Sequence, residues 1–448
     1  MAADDWITLS LGKVCQKIGS GATPRGGSNV YSDSGPYALI RSQNVHNDGF
    51  YHEGLAFIGE DHAEKLATVA VLEHDVLLNI TGDSVARVCQ VDASILPARV
   101  NQHVSIVRPD PNLLDARFLR YFLISPHTQS KLMSWAGSGG TRNALTKAMI
   151  ESVEVFAPKN TDEQQAIGYL LGTFDDKIDL NRRMNETLQA IAQAIFKSWF
   201  VDFEPVHAYS KRGKLSSSEP FTDLFPDCFE TSEIGPIPNG WKVGPILGVA
   251  ELLSGGTPKT DREEFWGGPI MWASAKDVSQ CAETFLLETE RTITLEGLAQ
   301  SSTQLIPACS TVVVARGATT GRMVILGREM AMNQTCYALK SKIDCPFTLH
   351  CLLRKEIDAL VHAAHGSVFD TITTSTFSRS KTVIAPDSVI KAFENLIAPL
   401  FTRMLCNSDE SRTLGDLRDT LLPKLISGEL RIGGHDQFGE RKSVQSNG

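Results

Sequence analysis

The chain repeats itself once, and that duplication constrains its fold more than any other feature. Ser20-Gly21-Ala22-Thr23-Pro24-Arg25 returns as Ser254-Gly255-Gly256-Thr257-Pro258-Lys259. Trp6 returns as Trp241, Gly35-Pro36 as Gly268-Pro269, and Thr81-Gly82 with Arg87 as Arg316-Gly317 with Arg322. Asn101-Gln102 matches Asn333-Gln334, Gly137-Ser138 matches Gly366-Ser367, and Ala157-Pro158 matches Ala385-Pro386. The order is kept, and the offset drifts only from 235 (Trp6 to Trp241) to 228 (Ala157 to Ala385). Self-similarity of this kind predicts two copies of one structural unit.

Each copy reads as mixed α/β. Val71 to Ile80 and Leu305 to Ala315 are β-rich runs that end near a glycine turn. Val104 to Val107 predicts a strand after Asn101-Gln102, and Leu113 to Ile124 and Phe347 to Leu360 predict helices. The Ala-Pro pair closes a last strand in each copy.

A long helix follows each copy. Ile167, Phe174, Asn181, Leu188 and Ile195 recur every seven residues, with Leu171, Ile178, Asn185, Ala192 and Trp199 as the second heptad position. The later copy places Phe393, Leu400, Asn407, Leu414 and Leu421 beside Ile397, Met404, Ser411, Arg418 and Leu425. Such seams predict a coiled coil. Arg418 fits poorly; either it snorkels or Leu417 replaces it. Polar residues at the middle of an apolar seam fix register at a cost in stability. Parallel and antiparallel pairings both align the midpoints, and self-complementary two-fold symmetry favours the antiparallel one, with Asn181 facing Ser411 and Asn185 facing Asn407. A helix of about 39 residues at 1.5 Å each spans roughly 58 Å. Residues 201–240, with Ser216-Ser217-Ser218 and Gly235-Pro236-Ile237-Pro238-Asn239-Gly240, read as a linker.

A net charge of -9 argues at first against nucleic acid, but its distribution matters more. Residues 1–160 carry 14 basic and 16 acidic groups, residues 161–240 carry 7 and 13, residues 241–386 carry 14 and 14, and residues 387–448 carry 8 and 9. The acidic excess sits mainly between the copies, and each copy is near neutral. A near-neutral DNA binder needs a partner to supply part of the phosphate neutralisation. No apolar run approaches the roughly 18 residues of a membrane helix, and Met1-Ala2-Ala3-Asp4-Asp5 does not open a signal peptide, so a cytoplasmic protein without membrane contact is expected. Nine cysteines form no C-x-x-C pair, and Cys345 and Cys351 match no zinc spacing; reduced core thiols are expected.

Several segments resemble the HsdS family, the specificity subunits of type I restriction-modification enzymes. They are the G-x-T-P loops after an opening Trp, the helix starting near Glu163-Gln164-Gln165, and Trp199-Phe200-Val201-Asp202-Phe203-Glu204-Pro205-Val206. Gly235 to Trp241 and Arg418-Asp419-Thr420-Leu421-Leu422-Pro423-Lys424-Leu425-Ile426-Ser427-Gly428-Glu429-Leu430 complete the set. The resemblance covers residues 5 to 432 and implies target-recognition domains at 1–160 and 241–387, coiled-coil helices at 161–200 and 388–430, a linker at 201–240 and a disordered tail at 431–448. It further implies that each domain reads half of a split site in double-stranded DNA and that the two helices pair as an antiparallel coiled coil with pseudo-two-fold symmetry. By the same resemblance, two HsdM-type modification subunits are expected to dock on this scaffold and methylate adenine with S-adenosylmethionine, and HsdR-type restriction subunits to join them. No cofactor is expected on this chain, with S-adenosylmethionine, ATP and Mg in the partners.

The residues carry no catalytic signature that competes with that picture. Neither an Asn-Pro-Pro nor an Asp-Pro-Pro run nor a phosphate-binding loop of the Walker type occurs. Asp175-Asp176-Lys177 resembles a nuclease motif but is better read as a solvated helix face. His362 and His365 lack a companion ligand.

Arg87 and Arg322 end β-rich runs at equivalent places, and arginine can clamp phosphate or read guanine. Asn101-Gln102 and Asn333-Gln334 are shared by both copies, which favours a structural or phosphate role, because unlike half-sites need unlike readers. The differing stretches are therefore the base-reading candidates. In the first copy these are Arg41, Ser42, Gln43 and Asn44, with Gly139-Gly140-Thr141-Arg142-Asn143. In the second they are Ser274-Ala275-Lys276-Asp277 and Val368-Phe369-Asp370-Thr371, with Arg316 beside them. Phosphate contacts position a reader and base contacts specify it. The G-x-T-P loops read as tight turns in preference to phosphate cradles. A coiled-coil scaffold without DNA specificity is the alternative reading, and a self-sufficient methyltransferase is a third, opposed by the missing motif.

Overall fold

The computed structural model describes residues 5–137, 143–212, 222–363 and 371–432. They form two compact units, one running to Ile178 and resuming at Thr413, the other running from Asp179 to Arg412.

In the first unit an antiparallel sheet has the order Cys15–Ser20, Val104–Pro109, Val76–Asn79, Val88–Gln90. A second sheet orders Ala56–Ile58, Tyr37–Ile40, Ala98–Val100, Ala70–Val71, with Tyr37–Ile40 and Ala98–Val100 parallel. The central strand Val76–Asn79 is buried throughout, which explains why it reads as an unbroken apolar run. Successive side chains point to opposite faces. Val76 and Leu78 therefore pack with Phe118 and Tyr121 of the helix Ala116–Ile124, while Leu77 packs with Leu39, Ile40 and Ile106. Trp6–Ser10 pairs antiparallel with Glu154–Pro158, closing the unit.

The second unit repeats this plan. Its larger sheet orders Ala250–Ser254, Cys336–Ser341, Thr311–Val314, Met323–Leu326, Phe285–Leu286, and its smaller one Thr292–Ile293, Trp266–Ala273, Ala331–Met332. Trp266–Ala273 and Ala331–Met332 are parallel, as their counterparts are, and Lys242–Gly244 closes on Thr382–Ile384. Val313 faces a core containing Leu339 and Phe393, while Val312 and Val314 face Leu326 and Met332.

The long helices are Thr161–Phe200 and Asp387–Ile426, 40 residues each. Asn160 caps the first, its side-chain oxygen accepting from the Asp162 N–H at 2.9 Å. In the first unit Ile167, Leu171, Leu422 and Leu425 join the core under Phe118. In the second, Phe393 lies within 4.9 Å of Phe200 and 5.6 Å of Trp199, ring centroid to centroid. Asn181 Nδ2 donates to Ser411 Oγ at 3.3 Å, and Asn407 Nδ2 donates to Asn185 Oδ1 at 2.9 Å.

Three expectations change. Arg418 neither snorkels nor yields to Leu417. Leu417 is 47% exposed, whereas Arg418 Nη1 lies 2.6 Å from Asp175 Oδ1. Asp175 is accordingly not on a solvated face: it also accepts from Arg120 Nη1 at 2.6 Å and from the Tyr121 hydroxyl at 2.5 Å. Residues 201–240 hold regular structure, a helix Glu204–Arg212 and a hairpin of Phe229–Ser232 with Gly235–Pro238. Gly235 there has φ 111°, a conformation glycine adopts without strain. Ser216-Ser217-Ser218 and the tail from 433 onward lie outside the described residues.

Candidate nucleic-acid interface

The same loop follows the central strand of each unit. In the first unit Asn79 N–H donates to Arg87 O and Ala86 N–H to Asn79 O; in the second Val314 donates to Arg322 O and Gly321 to Val314 O. Val85 N–H reaches Gly82 O at 3.1 Å, and Thr320 N–H reaches Gly317 O at 3.1 Å. Arg87 N–H donates to Ser84 O as Arg322 N–H donates to Thr319 O. Left-handed backbone recurs at Gly82 and Gly317 (φ 77° and 102°) and at Ala86 and Gly321 (φ 68° and 92°). A hydrogen-bonded turn with two such residues has little freedom, so each loop delivers its arginine at a fixed place. The flanks also correspond: Ile80 N–H donates to His103 O and accepts at its carbonyl from Leu145, as Ala315 does with Thr335 and Ile372.

In the first unit this loop borders a concavity of about 410 Å³ lined by Ser42, Gln43, Thr81, Gly82, Asp83, Ser84, Arg87 and His103. Three of the expected residues, Ser42, Gln43 and Arg87, thus come together. Asn143 reaches the same loop, its carbonyl accepting from Gly82 N–H at 3.1 Å. Thr141 and Arg142 lie outside the described residues. Arg87 Nη1 is 3.5 Å from His46 Nδ1. His46 Nε2 faces the Gln43 carbonyl at 3.0 Å, which can only accept, so Nε2 carries the proton and Nδ1 turns its lone pair to Arg87.

One expected reader, Asn44, is turned inward, and Arg41, like Gln43, donates to the Gly54 carbonyl. Asn44 is fully buried; its Oδ1 accepts from Arg41 N–H at 3.0 Å and its Nδ2 donates to Tyr51 O at 2.9 Å. It shapes the loop and has no edge to offer a base. The Arg41 guanidinium donates to Gly54 O and lies over the Tyr31 ring at 5.4 Å.

In the second unit Arg316, Arg322 and Thr371 are exposed. Arg316 and Thr371 face one another across a β-bridge, the equivalent of Thr81 and Ala144. Among the described residues neither Arg316 nor Arg322 has a carboxylate partner. Lys276 sits on the helix Ala275–Gln280 and pairs with Glu290 at 2.5 Å, so part of its charge is already answered. The same helix meets the loop where the Ser279 and Thr319 hydroxyl oxygens lie 2.6 Å apart. Val368, Phe369 and Asp370 lie outside the described residues.

The shared motifs are structural. A Cβ on Gly21 would lie 1.7 Å from Val100 O, and one on Gly255 would lie 2.3 Å from both Met332 O and Asn333 O. Thr23 donates to Gln102 Oε1, and Thr257 to Gln334 Oε1, tying the G-x-T-P loop to the following strand in both units. Asn101 Oδ1 accepts from His103 N–H at 2.9 Å, and Asn333 Oδ1 accepts from Thr335 N–H at 3.2 Å.

Away from the loops, burial holds the Asp175 carboxyl up, but Arg120, the Tyr121 hydroxyl and Arg418 outweigh it and bring it below the ordinary carboxylate value. Burial pushes the thiols of Cys345 and Cys351 up to about 11 and about 12, which leaves them protonated and unreactive. No three His, Cys, Asp or Glu side chains among the described residues are grouped to hold a metal. No helix among them is long and apolar enough to cross a membrane.

Sequence reasoning missed Thr81, His46 and His103. Thr81 and His103 carried a signal: each stands beside a shared motif yet differs between the copies.

A duplicated α/β fold with matching loops defines the class, and comparison names it. The model of the type I restriction modification DNA specificity domain matches residues 3–190 and 238–388, and the chain belongs to that family. It is 26% identical to the type I restriction enzyme HindI specificity subunit of Haemophilus influenzae, over 95% of this chain and 100% of that one. It is 26% identical to the MjaIX specificity subunit of Methanocaldococcus jannaschii, over 70% of this chain and 68% of that one. The crystal structure of a type I restriction-modification S subunit from M. genitalium shares the fold, with a TM-score of 0.59 and 14% identity over 94% of this chain and 96% of that one.

Proposed function

We propose that the chain is the DNA-reading specificity subunit of a type I restriction-modification enzyme and recognises a bipartite sequence, one half-site with each repeat. The observation that carries this reading is the loop built identically after the central strand of each unit, which ends on Arg87 in one and Arg322 in the other. Two copies of one scaffold with unlike side chains around a common arginine suit two half-sites of unlike sequence. Ser42, Gln43, Arg87, Asn143, Thr141 and Arg142 serve the first half-site, and Lys276, Arg316, Arg322 and Thr371 the second.

The long helices act as the spacer. They pair as an antiparallel coiled coil with pseudo-two-fold symmetry, a reading supported by the Asn181–Ser411 and Asn185–Asn407 hydrogen bonds. The chain performs no chemistry itself. Two HsdM-type subunits dock on it and bring S-adenosylmethionine; HsdR-type subunits bring ATP and Mg. The complex works in the cytoplasm.

The test is to express the chain with its modification subunit in a host lacking adenine methylation and to sequence the modified adenines. A bipartite motif with a fixed gap is expected. A continuous motif, or methylation without sequence preference, overturns the reading.

A further inference from the structure

The two loops superpose residue for residue in their hydrogen bonding, so each position of one has a known partner in the other. Arg87 and Arg322 are the same residue at the same place. Thr81 and Arg316 are not. Both immediately precede the left-handed glycine, and both stand across a β-bridge from the chain that closes the loop, at Ala144 and Thr371. The residue behind them changes in concert, from His103 to Thr335, although the preceding Asn-Gln is identical.

The chemistry in the first unit is specific. Thr23 donates to Gln102 Oε1, so Gln102 turns its amide Nε2 to His103 Nε2, at 2.9 Å. An amide nitrogen only donates, which makes His103 Nε2 the acceptor and puts the ring proton on Nδ1. Nδ1 then donates to Thr81 Oγ1 at 2.5 Å. With its oxygen engaged, Thr81 keeps its own hydroxyl hydrogen for the concavity it lines with Ser42, Gln43 and Arg87. The position therefore presents one oriented, uncharged donor. In the second unit Thr257 and Gln334 keep their bond, but Thr335 Oγ1 turns to Asn333 Oδ1 at 2.8 Å. Among the described residues no relay reaches the loop there. The equivalent position presents the exposed guanidinium of Arg316, which has no ion pair among the described residues.

We propose that this position, Thr81 in the first unit and Arg316 in the second, determines a base in its half-site, while Arg87 and Arg322 anchor phosphate. The inference rests on the DNA-reading function proposed above and assigns the division of labour within it. A guanidinium matches O6 and N7 of guanine with two hydrogen bonds, so the half-site of the second unit contains a guanine read by Arg316. A single hydroxyl donor meets one acceptor, such as N7 of a purine or O4 of thymine, so Thr81 discriminates less sharply at its position.

The experiment maps modified adenines for the complex carrying Arg316→Lys, Arg316→Thr or Arg322→Ala. Arg316→Lys keeps the charge and loses the fork, and Arg316→Thr installs the side chain of the first unit. Both should reduce selectivity for guanine at one position of one half-site by about tenfold or more, leaving the other half-site and the gap unchanged. Arg322→Ala should lower occupancy at all sites alike with the motif intact. Where a variant complex methylates too little to map, its binding to duplexes randomised at that position gives the same readout. An unchanged motif in both Arg316 variants overturns the proposal, as does a uniform loss without change of preference. Absence of any bipartite motif for the unaltered complex would instead overturn the function on which it rests.

Discussion

Asp175 Oδ1 lies 2.6 Å from Arg418 Nη1, so a heptad position of the second long helix is filled by a charge that the first helix answers. Arg120 Nη1 approaches the other carboxylate oxygen at 2.6 Å, and the three side chains are 10%, 16% and 7% exposed. Removing one member of a buried ion cluster leaves the others uncompensated. Asp175→Asn should destabilise the first unit by about 3 kcal/mol. Arg418→Met should cost less, because Asp175 keeps Arg120. Urea unfolding with hydrogen exchange assigned by unit measures both; equal effects would show that Arg120 does not share the carboxylate.

The same cluster sets an acid limit. Asp175 titrates below its ordinary value of 3.8, so its stabilisation is complete above that pH and lost as pH falls through the lower folded value. Unfolding free energy should drop below pH 3.8, and Asp175→Asn should flatten that drop. A parallel fall in variant and unaltered protein would assign it to other carboxylates.

The glycine of each G-x-T-P loop is required by space. Gly21→Ala would set a methyl 1.7 Å from Val100 O, and Gly255→Ala would set one 2.3 Å from Met332 O. Each should cost about 3 kcal/mol or more, confined to its own unit. Gly19→Ala, with nothing within 4 Å, is the control and should be nearly neutral. Hydrogen exchange resolves the unit affected.

Asn407 Nδ2 donates to Asn185 Oδ1 at 2.9 Å in the interior of the second unit. Asn185→Leu removes the acceptor and should destabilise by about 1–3 kcal/mol. Asn185→Leu with Asn407→Leu should recover much of that loss while weakening the fixed register. Thermal unfolding reads the first effect, and cysteine crosslinking at neighbouring seam positions reads the second.

How much was legible follows from the range of the interactions. The duplication, the strands at Val76–Asn79 and Thr311–Val314 and the polar seam residues were readable because burial imposes its period on neighbouring residues. Asn181 and Asn185 could be matched to Ser411 and Asn407 from heptad spacing together with the two-fold symmetry of a duplicated chain. Asp175 could not be placed, because its partners Arg120 and Arg418 stand far away in sequence and local context shows only an acidic helix turn. Asn44 looked like a base reader for a different reason: its partners Arg41 and Tyr51 are near in sequence, but they meet it through a loop whose path is not encoded in composition. The hairpin at Phe229–Pro238 hid behind prolines that ordinarily weaken a strand. At the site, Arg87 and Arg322 were found through repetition, whereas His103 was missed because its role passes through Gln102 and Thr81.

Arg87 and Arg322 offer the sharpest comparison between the units. Each ends the same turn, and neither has a carboxylate partner among the described residues. A phosphate-bound arginine contributes to affinity without sequence preference and releases roughly one counterion, so its loss lowers the slope of log K against log salt by about 1. Arg87→Ala and Arg322→Ala should each weaken binding of the assembled complex to its target duplex by the same order and reduce the slope by about 1. Because the arginines stand on different units, the double variant should lose about 2 in slope, the sum of the singles. Fluorescence anisotropy across a salt series provides the measurement. A full slope in either single variant would place that arginine away from the backbone. A double variant no worse than one single would mean that only one unit touches DNA through this loop.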